Sequence, residues 1–206
     1  YYWEDMVKDP EIGRQGVPSQ LLVDGEEPNF EVLDELTVRY SWSKPNTEFI
    51  IALAAPSPLW IYRPAHYMKQ FDAKYADADK LAAMVSEENV DSWTALHTRK
   101  QRQRRPENPE LPTLQPWVNT TKPPSERFIF VRNPYFHRVD SKGNQLPYID
   151  RILMDVVSKD VIPAKTGAGE SDLQGRYIRF DNFTFLKQAE ADNDFSTKLW
   201  STGKGS

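Results

Sequence analysis

The stretch that most constrains this chain is residues 128–157, FIFVRNPYFHRVDSKGNQLPYIDRILMDVV. It opens with Phe128, Phe130 and Arg132 on one side of a period-2 pattern and Ile129 and Val131 on the other. That is strand composition without helical periodicity. Asn133-Pro134 ends the run, because the residue before a proline is pushed out of the helical region and proline cannot donate to a ladder. Ser141-Lys142-Gly143-Asn144 is a turn that needs a residue at positive φ, supplied by Gly143 or Asn144. Leu146-Pro147-Tyr148 returns to extended structure. Residues 149–157 then read as a second strand, with Ile152, Met154 and Val156 alternating against Arg151, Leu153 and Asp155. The pattern predicts a long-looped antiparallel pair at the centre of an α/β domain.

Upstream of this pair the chain alternates helix and strand signals. Residues 1–8 read as the end of a helix stopped by Asp9-Pro10, and 13–29 as a loop punctuated by Gly13, Gly16, Pro18, Gly25 and Pro28. Residues 35–42 alternate so that Leu36, Val38, Tyr40 and Trp42 share a face. Lys44-Pro45-Asn46 closes that strand, and 49–55 is a short apolar helix capped near Thr47. Helical spacing recurs over 68–75 and 79–88, the latter with Leu81, Met84 and Val85 on its apolar face. Asp91 or Ser92 caps a third helix running from Trp93 to about Arg104, whose apolar side is Trp93, Leu96 and His97.

That third helix ends in Arg99, Lys100, Arg102, Arg104 and Arg105. Cations at a helix C-terminus complement its dipole, and no stacking aromatics interleave with them, so the cluster reads as a solvated helix end. A net charge of -4 points the same way, since nucleic-acid binders carry a basic footprint. Pro106, Pro109, Pro112, Pro116, Pro123 and Pro124 then make an extended connector, the expected subdomain boundary. Two parts follow: residues 1–118, a smaller α/β subdomain, and residues 119–206.

In the second part, Asp160-Val161-Ile162-Pro163 opens a short helix through Lys165. Gly167 and Gly169 loosen its end without forming a phosphate loop, because no Gly-Lys-Ser/Thr follows at the required spacing. Asp181 or Asn182 caps a helix over 183–191, and 195–200 reads as a terminal strand. Trp42 and Trp60 are candidate stacking platforms for a ligand, set against the commoner use of a tryptophan as a core anchor.

Catalytic chemistry does not assemble. His66, His97 and His137 lack metal-ligand spacing, and the absence of Cys excludes thiol catalysis and thiolate-bound metal. No nucleophile elbow is present, and no carboxylate pair is set apart for glycoside hydrolysis. No catalytic residue, metal or cofactor is therefore assigned. No apolar run approaches the roughly 20 residues of a spanning helix.

Several ordered motifs resemble the extracytoplasmic solute-binding proteins of ABC importers, family 5, the peptide/nickel/oligosaccharide-binding group. Arg132-Asn133-Pro134-Tyr135-Phe136 is similar to that family's RNP-aromatic-aromatic segment, and Leu146-Pro147-Tyr148-Ile149-Asp150 to its LPYLD segment. Ala168-Gly169-Glu170-Ser171-Asp172-Leu173 resembles a following helix end, and Pro64-Ala65-His66-Tyr67-Met68 an earlier segment. The glycine motif that the family places before the RNP strand is replaced here by Gln115-Pro116-Trp117-Val118-Asn119, so no backbone contacts carry over from it.

The resemblance implies an α/β fold with mixed sheets and flanking helices, part of a type II periplasmic-binding-protein-like fold. In it, residues 119–206 belong to the main lobe and reach the hinge. It also implies a fragment of one lobe, since the chain opens on Tyr1-Tyr2-Trp3 with no signal peptide and family members are much longer. The function implied is capture of a small solute, a peptide or an oligosaccharide, by closure of two lobes, and its delivery to an ABC permease in the membrane. The protein is expected to be periplasmic or at the cell surface, monomeric, not an enzyme and without nucleic acid as a partner. By the same resemblance Gln174, Gly175, Arg176, Trp200, Ser201 and Thr202 are the candidate ligand-binding residues. A non-catalytic protein-interaction module and a hydrolase are the alternatives of another class.

Overall fold

A computed structural model describes residues 1–13, 16–55, 58–103, 105 and 107–200. The chain divides into two units: Tyr1–Asn119 with Val131–Asp150, and Thr120–Phe130 with the chain from Arg151 onward. The first crossing falls one residue past the end of the proline connector's 1–118 part, and residues 131–150 return to the N-terminal unit. Two anchors hold them there. Asn133 is buried; its Nδ2 donates to Thr113 O (3.1 Å) and Gln115 O (2.9 Å), and its backbone N–H to Pro116 O (2.8 Å). Trp117 Nε1 donates to Ile149 O at 2.9 Å.

In the first unit, Tyr2–Val7 is a π-helical turn that buries Trp3, Asp5 and Met6. Asp9 ends it by accepting the amides of Glu11 and Ile12 on Oδ1, both at 2.8 Å. A hairpin follows, β1 (Asn29–Val32) antiparallel to β2 (Val38–Ser41), with Phe30 opposite Tyr40 and Val32 opposite Val38. The strand expected over 35–42 is thus shorter, and its partner emerges at the edge of the expected loop. Asp34 is the cause: its Oδ1 accepts Leu36 N (2.8 Å) and turns the chain, leaving Leu36 at the tip, 96% exposed. Of the four residues expected to share a face, only Tyr40 and Trp42 reach the interior. There they join Trp3, Phe30 and Phe49 in a cluster of rings with centroids 5.0–6.4 Å apart.

The helices form where their caps allow. Next to Thr47, Asn46 turns the chain into α1 (Phe49–Ala54), its Oδ1 accepting Glu48 N (3.1 Å) and Phe49 N (3.0 Å). The helical spacing over 68–75 resolves into α2 (Ala65–Met68) and a 3-10 turn, Lys69–Phe71. Asp77 caps α3 (Ala78–Glu87) through Lys80 N, and Ser92 caps α4 (Trp93–Lys100) through Ala95 N. The α4 helix stops at Lys100, short of Arg104, where Asn108 Nδ2 donates to the Lys100 carbonyl at 3.1 Å. Met68, Phe71, Leu81, Leu96 and Leu111 form the core against which Met84, Val85 and Trp93 pack.

Strands β3 (Trp117–Asn119), β4 (Arg127–Arg132) and β5 (Arg151–Asp155) form a sheet in that order. The pairing of β4 with β5 is antiparallel, as the bonds Arg132 N to Asp150 O and Val156 N to Glu126 O (both 2.8 Å) require. Between these strands Asp140 closes the turn. Its carboxylate accepts Lys142 N and Asn144 N (both 2.8 Å) and Tyr148 OH (2.6 Å), with Gly143 at φ +83°. These donors, the Tyr148 hydroxyl foremost, hold the Asp140 carboxyl well below the usual range. The α/β class expected from the sequence is the one found, with antiparallel sheets.

In the second unit, α5 (Ile162–Gly167) packs on α6 (Phe183–Ala189). The Phe185 ring lies so close to Gly167 that an added Cβ would stand 2.5 Å from Cζ, which explains the glycine. Helix α6 ends two residues before Ala191, where Asn193 Nδ2 donates to Gly167 O (3.1 Å) and Ala189 O (3.3 Å). The strand expected over 195–200 does not form. Instead Phe195 N bonds Asn193 O (2.9 Å) and Thr197 N donates to Glu190 Oε1, so the segment is tied to a helix end rather than to a ladder.

Candidate functional site

Gln174, Gly175 and Arg176 lie in the irregular segment between α5 and α6. Gln174 Nε2 donates to Arg176 O at 2.7 Å, which closes a small loop and uses one of the amide's donors internally. Arg176 is exposed, and a Cβ at Gly175 would meet nothing within 4 Å, so sterics do not demand glycine there. Tyr177 follows at φ +58°, an unusual conformation for a side chain of its size. Trp200 is 83% exposed. Among the described residues, no hydrogen bond, ion pair or ring contact joins the 174–176 loop to Trp200. Ser201 and Thr202 lie outside the described residues.

A second site was not visible in the sequence. Within the first unit a cavity of about 360 Å³ is lined by Tyr2, Pro18, Gln20, Ala52, Ala55, Pro58, Leu59, Trp60 and Arg63. The bond from Leu59 N to Ala52 O (2.9 Å) folds the chain after α1 back along that helix. Arg63 is the charged member. Its Nε donates to Gln101 Oε1 (2.9 Å), its Nη1 to Tyr62 O (2.7 Å) and Trp60 O (3.2 Å), and its guanidinium carbon lies 5.6 Å from the Tyr2 ring centre. Burial pulls its pKa down, while burial pushes Tyr2 and Tyr62 up. A cation directly after the apolar run Leu59-Trp60-Ile61-Tyr62 was the signal that could have found it. Of the two tryptophans weighed as stacking platforms, Trp60 lines this cavity. Trp42 is held in the aromatic cluster, its Nε1 donating to the buried Leu21 at 2.7 Å.

A third group of polar side chains is structural. The Tyr1 hydroxyl meets Asp72 Oδ2 at 3.2 Å and His97 Nε2 at 2.9 Å. A hydroxyl that donates to Asp72 must accept from His97, which fixes the imidazole proton on Nε2. Asp72 and His97 are buried, and burial pulls the His97 pKa down to about 4, against the opposing pull of Asp72. A neutral, enclosed imidazole cannot reach a substrate.

The comparisons with known proteins agree with one another. Residues 1–203 match the family described as bacterial extracellular solute-binding proteins, family 5 Middle. A solved oligopeptide-binding protein OppA superposes with a TM-score of 0.76 at 35% identity, over 92% of this chain and 30% of that one. A solved periplasmic binding protein, MelB of Agrobacterium fabrum C58 in complex with stachyose, gives a TM-score of 0.63 at 22% identity over 93% of this chain and 26% of that one. It supports the fold alone. A periplasmic alpha-galactoside-binding protein of Rhizobium meliloti (strain 1021) is 26% identical over 154 residues, 74% of this chain and 19% of that protein. The chain thus spans from 19% to 30% of the length of these relatives. It belongs to the bacterial extracellular solute-binding proteins of family 5.

Proposed function

We propose that this chain is part of the solute-binding component of an ABC importer, which captures peptides outside the cytoplasmic membrane and hands them to a membrane permease. The observation that carries the reading is the family match across residues 1–203. The 35% identity to an oligopeptide-binding protein favours peptides as the solute class. Capture proceeds by closure of two lobes: ligand contacts made on both lobes exist only in the closed state, so binding energy drives the hinge. The working division is at 118/119, with residues 1–118 a smaller subdomain and 119–206 part of the main lobe. Gln174, Gly175, Arg176 and Trp200, with Ser201 and Thr202, contribute this lobe's contacts. The relatives are named as binding proteins, which supports a carrier rather than an enzyme, and an extracytoplasmic site of action. Among the described residues no helix is long and apolar enough to cross a membrane.

An oligosaccharide is the second reading, favoured by the alpha-galactoside-binding relative. Calorimetry separates the two: a protein with both lobes is titrated with a peptide pool and with galactosides such as stachyose. Heat from peptides alone supports the first reading, and heat from sugars alone the second. Tight binding of either class by these 206 residues in isolation contradicts the two-lobe mechanism.

A further inference from the structure

We propose that the cavity around Trp60 and Arg63 is a binding site for a small organic carboxylate with an apolar ring, distinct in its residues from the solute contacts at 174–176 and 200. Three observations converge on that chemistry. The first is the state of Arg63. Burial disfavours its charge, yet among the described residues no carboxylate lies within ion-pair distance, and its hydrogen bonds go to one amide oxygen and two backbone carbonyls through Nε and Nη1. A half-buried guanidinium without a counter-ion leaves Nη2 donors unused among the described residues, and a carboxylate matches that planar fork better than any neutral acceptor.

The second is the wall. Ala52, Ala55, Pro58, Pro18 and Leu59 are apolar, so a charged end at Arg63 leaves an apolar body against non-polar surface. The third is size. A volume of about 360 Å³ sits at the small end of ligand pockets and suits a molecule on the order of ten to fifteen non-hydrogen atoms. A tetrasaccharide is too large. The same carboxylate chemistry is carried by a free aromatic acid and by the C-terminal residue of a peptide.

The test is a fluorescence and ligand-observed NMR titration of the full chain with phenylacetate as the free acid, N-acetylphenylalanine as the peptide end, and phenylacetamide as the neutral isostere. Saturable binding of at least one carboxylate is expected, with the amide weaker by about tenfold or more, because the charge-assisted bonds are lost. Arg63→Gln weakens the carboxylate by a similar factor. Because Arg63 also holds two backbone carbonyls, Ala52→Phe provides an independent check: it fills the cavity, leaves the guanidinium untouched, and abolishes binding at an unchanged melting temperature. Preference for phenylacetate over N-acetylphenylalanine identifies a free acid, and the reverse identifies a peptide end. The proposal is overturned if neither carboxylate saturates, if the amide binds as well as the acid, or if folded Ala52→Phe binds like the parent. Peptide-pool binding by a protein with both lobes that carries the same substitutions keeps this outcome separate from that of the importer reading.

Discussion

In the first unit Met68, Phe71, Leu81, Leu96 and Leu111 are buried together, and Leu21, Trp3 and Met6 are buried as well. In the second, among the described residues, only Gly167 and Leu186 are buried, while Leu153, Met154, Leu173, Phe180 and Trp200 stand largely in solvent. The second unit leans on polar ties instead: the Arg127–Asp155 fork (2.5 and 2.9 Å) and the Lys187–Glu190 pair (2.8 Å), which with the Thr197 amide holds the Glu190 carboxyl down at about 2. Exposed ion pairs contribute little to stability. One unit has its own hydrophobic interior. The other leaves most of its large apolar side chains, among the described residues, in contact with solvent.

The largest expected consequence is a pair of unequal truncations. Leu96→Ala removes a wholly enclosed side chain and is expected to cost about 2–5 kcal/mol in chemical denaturation. Leu153→Ala, at a position 59% exposed, is expected to cost within about 0.5 kcal/mol. Equal costs break the contrast.

His97 sharpens it through pH. Desolvation leaves the folded imidazole with a pKa of about 4 against an ordinary 6.5, so between those values the unfolded chain binds a proton that the folded chain does not. Stability from this group is complete above about pH 6.5 and falls as the pH drops toward 4. The loss is on the order of 3 kcal/mol at about 1.4 kcal/mol per unit. Denaturation midpoints measured across that window check it, and a flat profile, or an imidazole titrating near 6.5 by NMR, removes the enclosed polar centre from the account.

Asn133→Ala comes next. It strips the donors from Thr113 O and Gln115 O at a buried position, for an expected loss of about 1–3 kcal/mol. Gly167→Ala is the second unit's counterpart. The new methyl must displace the Phe185 ring, but that ring is 49% exposed and can swing outward, so about 1 kcal/mol is expected. A cost matching that of Leu96→Ala would show that the α5–α6 contact is packed like a core.

The same division explains what the sequence disclosed. Helices α3 and α4 were legible because Leu81, Met84, Leu96 and His97 sit on faces that a core demands, and Ser92 marks the start of α4. The strand pair around Arg132–Asp150 was legible because Asn133-Pro134 and Gly143 punctuate it. Where side chains answer to solvent, alternation lost its meaning. Leu36 continues the period-2 pattern yet lies on a turn set by Asp34, and residues 195–200 carry strand composition without a partner. The cavity at Arg63 was hidden for another reason: Tyr2, Gln20, Ala52 and Arg63 converge only in three dimensions.

The smallest expected change in stability bears most on function. Trp200 is 83% exposed in a unit with little interior, so Trp200→Ala should leave the denaturation midpoint within about 0.5 kcal/mol of the parent. An indole kept in water by the fold carries the cost of an exposed apolar surface unless something covers it, and a closing clamp would cover it with ligand. In a protein with both lobes, Trp200→Ala should therefore weaken peptide binding by about tenfold or more, the usual scale for a tryptophan at the centre of a contact. Unchanged affinity together with unchanged stability removes Trp200 from the site and leaves the 174–176 loop to carry this lobe's contacts. A large loss of stability instead means that the indole packs on parts of a longer chain, and the contrast between the two units closes.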